Sequence, residues 1–166
     1  MLPLWAGCRG WQGDTYLRHF APAKRARQEA SFQFATPPSP WAPVRGVKDV
    51  QVAWVNPSLG GVIAIHGQCD EQGDSSLVQY TDHLSMDWTD WEVRSQSDGR
   101  LVGRAALWTE VDAQLDGVKR RNLFIVTKKN GCLFDLSYSA RPEVFAQGQG
   151  AFERVVQGFR FPLEAK

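Results

Sequence analysis

The chain has 166 residues, 43% hydrophobic and 22% charged, with 19 Lys and Arg against 18 Asp and Glu for a formal net charge of +1. This is the composition of one soluble globular domain, long enough to bury an apolar core without metals or cross-links, and it excludes disorder, collagen and coiled coil. Near-neutral charge also argues against an extended phosphate-binding surface, so no nucleic-acid partner is expected.

Residues Met1 to Cys8 end in Leu4-Trp5-Ala6-Gly7-Cys8, an apolar, small, small, Cys pattern that resembles the lipobox of a bacterial lipoprotein signal peptide, with Cys8 as the lipid carrier. Trp5 stands where that pattern usually has Leu, and the residues before Cys8 are fewer than the basic and apolar segments of such a leader require. Residues 1–8 are therefore expected to be the remnant of a longer signal peptide. The alternative is a cytoplasmic chain that starts at Met1 and carries a chance Cys near its end. Arg9, where an Asp would retain the protein at the inner membrane, implies the outer membrane by resemblance to enterobacterial sorting. Residues 9–30 show neither sustained alternation nor a helical stripe and read as a tether. Its Lys24, Arg25 and Arg27 are expected to be solvated; beside a membrane each adds roughly 1 kcal/mol of attraction to anionic headgroups.

A single domain is expected over residues 31–162. Phe32 and Phe34 alternate with polar neighbours before Thr36-Pro-Pro-Ser-Pro40 ends the pairing, so a short strand leads into a rigid turn. Val50 to Val55 and Val62 to His66 read as strands joined through Asn56-Pro-Ser-Leu-Gly-Gly61. From Ser75 the period changes: Leu77, Tyr80, Leu84 and Trp88 form a helical stripe, with Asp74 or Ser75 as N-cap. A short strand near Trp91 to Ser95 and a Ser97-Asp-Gly99 turn follow. Along Ala105 to Leu115, Leu107, Val111, Ala113 and Leu115 share one face while Trp108, Glu110, Asp112 and Gln114 share the other. Asp116-Gly117 and Asn130-Gly131 close hairpins around Leu123 to Thr127 and Cys132 to Tyr138. Phe152, Val155, Val156 and Phe159 make the final helical stripe. The fold class is α+β, an antiparallel meander with two main helices placed on one face of the sheet.

The order of these elements resembles the Mog1/PsbP-like α/β/α sandwich. The residues that carry the resemblance are Phe32, Phe34, Trp41, Gly131-Cys-Leu-Phe-Asp135, Tyr138, Ala140, Pro142 and Phe152 to Arg160, and within that fold the chain is similar to uncharacterised lipoproteins of deltaproteobacterial type. Members of the fold bind partner proteins, support photosystem assembly or serve as envelope lipoproteins. The resemblance therefore implies a fold and leaves the activity open.

If Cys8 carries lipid, Cys69 and Cys132 remain, the number that one disulfide requires in an exported protein. Such a bond closes a loop of about 60 residues and adds roughly 4 kcal/mol in the chain-entropy model. The rivals are a zinc site built from His66-x-x-Cys69 and Cys132-x-x-Asp135, and a Cys nucleophile activated by His66 or His83. Against zinc, residues three apart on a strand project to opposite faces. Asp135 is a candidate binding-site acid, with turn capping, an Arg partner or solvent as alternatives, and Trp108, Glu110 and Asp112 complete the candidate binding surface. Asp82, Asp87 and Asp90 around Trp88 and Trp91 raise a carbohydrate platform, set against a core role for Trp88. There is no nucleophile elbow, phosphate-binding Gly-rich loop, His-Glu-x-x-His or dinucleotide fingerprint. No enzyme activity, cofactor or metal is expected. The expectation is a noncatalytic lipoprotein on the periplasmic face of the outer membrane, bound to the membrane by its lipid and to a protein or other envelope component by its domain. The alternatives are a periplasmic small-ligand or carbohydrate-binding module and an unrecognised hydrolase centred on Cys69, His66 and Asp135.

Overall fold

The computed structural model describes residues 10–12, 15–17, 31–47, 50–69 and 75–162. Strands β1 (Gly10–Gln12), β2 (Thr15–Leu17) and β3 (Phe32–Gln33) form a small antiparallel sheet in that order. The first two lie in the stretch expected to be a tether. Seven further strands form the main sheet: β4 (Ala42–Val44), β5 (Val52–Asn56), β6 (Gly61–Gln68), β7 (Thr89–Leu101), β8 (Arg104–Leu115), β9 (Val118–Lys129) and β10 (Cys132–Ala140). Their order is β4-β5-β6-β10-β9-β8-β7, antiparallel throughout. Helices α1 (Leu77–Leu84) and α2 (Phe145–Gly158) complete the domain.

Local chemistry accounts for the meander. The hairpin dipeptides Val102-Gly103, Asp116-Gly117 and Asn130-Gly131 all hold positive φ at both residues, which matches the right-handed twist of the flanking strands. The latter two are the hairpins expected from the sequence. The first replaces the expected Ser97-Asp-Gly99 turn: β7 runs straight through those residues, because Gly99 receives the Trp108 indole from β8, and a Cβ there would sit 3.0 Å from its Cδ1 and Nε1. Helix α1 is also shorter than its stripe suggests. Its N-cap is Ser76, one residue beyond the expected positions. Ser76 Oγ accepts from the Gln79 amide at 3.1 Å and Gln79 Oε1 accepts from the Ser76 amide at 3.0 Å, a capping box that fixes the start. The helix stops at Leu84, so Trp88 lies beyond it and reaches the sheet from the connection.

The two helices pack on opposite faces, as the α/β/α resemblance implies and in place of the single face suggested by the sequence pattern alone. Successive residues of a strand point to opposite sides, and β10 uses both. Phe134, Leu136 and Tyr138 join Ile63, Ile65 and Ile125 beneath Phe145, Phe152 and Val155 of α2. Leu133 pairs instead with Val126 and Tyr80 beneath α1. Phe32 and Phe34 close the α2 side, with the Phe32 ring 5.6 Å from Phe159 and 6.3 Å from Phe134. Backbone hydrogen bonds of 2.8 and 2.9 Å between Gln33 and Arg160 pin the end of α2 to β3.

Tyr138 sets the seating of α2. Its ring stacks on Phe145 at 4.7 Å and its hydroxyl donates to the Phe145 carbonyl at 2.8 Å. Gly148 lies against that hydroxyl, and a Cβ at 148 would overlap it. Gly148→Ala is therefore expected to destabilise the domain by about 1–3 kcal/mol through overpacking, in spite of the better helix propensity of Ala. Equilibrium denaturant unfolding checks this; a more stable variant would show that α2 is not seated in this way.

Candidate functional site

Asp135 emerges from the middle of β10 on the α1 side, its side chain 8% exposed. Its register partner on β6 is His66, and α1 brings Tyr80 over both. The Tyr80 hydroxyl donates to Asp135 Oδ2 at 2.7 Å, and His66 Nδ1 lies 2.9 Å from the same oxygen and 3.2 Å from the Tyr80 hydroxyl. In the tautomer that carries its proton on Nδ1, His66 donates to the same carboxylate oxygen as Tyr80. The sequence offered Asp135 as a binding-site acid, with a turn, an arginine or solvent as alternatives. Instead it is a buried acceptor that ties α1, β6 and β10 together.

Trp108, Glu110 and Asp112 lie on the other side of the sheet. Asp135 pairs with Val126, which pairs with Leu107, so Asp135 shares the Leu107 face and the expected surface of Trp108, Glu110, Asp112 and Asp135 divides in two. Trp108 is half-buried, packed over Gly99 and against the core under α2, rather than standing free. Beside it, two arginines hold the two acids. Arg94 Nη1 donates to Asp112 Oδ2 at 2.9 Å, and its Nε is 3.3 Å from Glu110 Oε1. Arg121 approaches Asp112 through two nitrogens, at 2.8 and 3.1 Å. Arg121 also lies 5.9 Å over the Phe145 ring, which links this network to the start of α2. The Arg121 guanidinium holds the Asp112 carboxyl below the ordinary aspartate value, assisted by Arg94 and opposed by burial.

Cys69 and Cys132 are joined in a disulfide across 63 residues. They attach to the core on the α2 side while His66 and Asp135 face α1, so the four donors of the zinc reading do not converge. In the disulfide neither sulfur is a thiolate ligand or nucleophile. His83 is exposed in the last turn of α1. Trp91 stacks on Phe124 at 5.7 Å and Trp88 packs on the same cluster, so both rings are partly buried against the sheet. Cys8 lies outside the described residues. Among the described residues no helix is long and apolar enough to cross a membrane. Sequence reasoning missed Tyr80, Arg94 and Arg121. Tyr80 was absorbed into an apolar stripe, although its hydroxyl, facing a sheet that carries Asp135, was the available signal. The arginines become visible only when the strand register sets them beside Glu110 and Asp112.

No family model matches the chain, and no curated protein matches it by sequence. Solved structures do match. A protein of unknown function from Pseudomonas aeruginosa superposes with a TM-score of 0.55 at 12% identity, over 92% of this chain and 100% of that one. The PsbP of the cyanobacterium Synechocystis, CyanoP, gives 0.52 at 15% identity, over 95% and 99%. LpqN of Mycobacterium tuberculosis, described as involved in cell envelope biogenesis, gives 0.55 at 12% identity, over 87% and 88%. Together with the seven-stranded sheet and its two helices, these likenesses establish a PsbP-like α+β fold.

The ion network predicts a pH signature. A carboxylate with a lowered folded-state value stabilises above its unfolded value, and that contribution is lost as pH falls through the folded one. Asp112→Asn is expected to cost about 1 kcal/mol at neutral pH. The difference from the parent protein should shrink as pH drops below the ordinary value of 3.8. Urea unfolding of both proteins across that range measures it, and a pH-independent difference would contradict the assignment.

Proposed function

We propose that this protein is a noncatalytic bacterial lipoprotein of the cell envelope. Cys8 carries the lipid, the domain stands on the periplasmic face of the outer membrane, and it binds a protein or other envelope component. The observation that carries this reading is the Cys69–Cys132 bond, since structural disulfides persist in exported proteins and are rare in the reducing cytosol. The lipobox-like Leu4-Trp5-Ala6-Gly7-Cys8 supplies the anchor. LpqN, whose fold this chain shares, is described as acting in cell envelope biogenesis, which favours an envelope role and agrees with the resemblance to deltaproteobacterial-type lipoproteins. The partner surface we assign is the outer part of the β7-β8-β9 face, where half-buried Trp108 adjoins the paired charges of Glu110, Asp112, Arg94 and Arg121. An aromatic beside fixed charges gives a contact both area and register.

The test is fractionation of cells that express the gene from its native locus. The parent protein is expected in the outer-membrane fraction, released only by detergent, and Cys8→Ser is expected in the soluble periplasmic fraction with its fold intact. Recovery of the parent protein in the cytosol, or a membrane association indifferent to Cys8→Ser, would overturn the lipoprotein reading.

A further inference from the structure

Arg120 differs from the other arginines of the sheet. Arg94 and Arg121 hold Glu110 and Asp112, whereas half-buried Arg120 has no carboxylate partner among the described residues. Its Nε donates to Ser139 Oγ across the β9-β10 pair at 3.0 Å. Burial and, more weakly, the neighbouring charge of Arg141 work against its protonated form, with Tyr138 opposing them. Arg141 is scarcely better matched: its Nε is 3.8 Å from an oxygen of exposed Glu143, and its Nη2 donates to the Ser58 carbonyl at 3.2 Å.

The two guanidinium arms meet at the turn before β6. Gly60 is left-handed, with φ 54° and ψ 31°, and a Cβ on it would lie 3.5 Å from Arg120 Nη1 and 3.9 Å from Arg141 Nε. Ser139, having accepted from Arg120, retains its own O–H for donation. Directly opposite Ser139 in the register is Asn122, two residues from Arg120 on the same face. Asn122 is fully buried, and neither its amide oxygen nor its amide nitrogen has a partner. This corner therefore gathers two weakly matched cations, a spare hydroxyl donor and an unpartnered buried amide, all on groups suited to bind oxygen anions.

We propose that Arg120, Arg141 and Ser139 form a binding site for one phosphate monoester group beside the Gly60 turn. The site stands independently of the lipid anchor and of the Trp108 face. Among the described residues Arg120 lacks a carboxylate partner and Arg141 has only the long contact to exposed Glu143, so a dianion that both guanidinium groups can reach matches them better than a carboxylate or a phosphodiester. A phosphate monoester arrives either as a soluble ligand or as the headgroup of a lipid such as phosphatidic acid, and the chemistry at the protein is the same.

The experiment uses the purified chain near neutral pH, titrated calorimetrically with inorganic phosphate and sedimented with phosphatidylcholine vesicles with and without phosphatidic acid. Saturable binding is expected, weakened at least about tenfold by Arg120→Gln and by Arg141→Gln. Arg100→Gln, an exposed arginine on edge strand β7, should leave it unchanged. Binding to phosphate alone identifies a soluble ligand, and phosphate-competed binding to phosphatidic acid vesicles identifies a lipid headgroup; both uphold the site. Absence of saturable binding to either probe overturns it. So does equal weakening by Arg100→Gln, or indifference to Arg141→Gln, whose exposed position leaves folding untouched should Arg120→Gln unfold the chain.

Discussion

The architecture depends on β10 being buried on both sides. Only Ser137 and Ser139 of the strand keep partial solvent access, so its other side chains must be matched to specific neighbours. Phe134, Leu136 and Tyr138 supply the floor on which α2 rests, and Leu133 supplies part of the floor for α1. The strand is also the central member of the long pairing to β6, which starts at Leu133 and Gln68 and runs to Ser139 and Val62. That pairing joins segments distant in sequence and carries a loop-closure cost in the unfolded chain. The Cys69–Cys132 disulfide sits at its end and removes part of that cost by joining the same two segments covalently.

Burial on both sides makes Asp135 the exception that needs explaining. A carboxylate in such a place is tolerated when its lone pairs are filled, and here Tyr80 and His66 both address Oδ2. The trio fixes where α1 sits along the sheet, since an apolar helix face alone permits sliding whereas a hydroxyl on one carboxylate oxygen does not. The opposite end of the same face lacks such a match. Asn122 and Arg120 are enclosed there with fewer partners than their chemistry admits. On a single sheet face, one carboxylate oxygen therefore accepts from two elements while the Asn122 amide has no partner.

Much of the fold was legible because period and turn chemistry agree. The alternation from Leu107 to Ala113 is the observed burial pattern of β8, and the two expected Gly hairpins form where Asp116 and Asn130 tolerate positive φ. Ser97-Asp-Gly99 misled because the same dipeptide chemistry serves a turn or a flat strand, and the deciding contact, Trp108 over Gly99, comes from a neighbouring strand. The placement of helices was misread for a related reason: a stripe shows which side of a helix is apolar, but which sheet face it meets is set by long-range pairing. For the site, residue types were visible and grouping was not. Alternation put Trp108, Glu110 and Asp112 together, yet no local signal told that Asp135 belongs with His66 and Tyr80.

The likeness to PsbP and LpqN proteins supplies architecture at identities where function does not transfer. The proposed envelope setting rests instead on the chain's own covalent chemistry, a cross-link at the strand pair on which the rest is built. The most direct test is thiol accounting on protein alkylated inside intact cells before lysis. The account predicts that Cys69 and Cys132 resist labelling until a reductant is added. Both cysteines labelled without reductant, in folded protein, would contradict it.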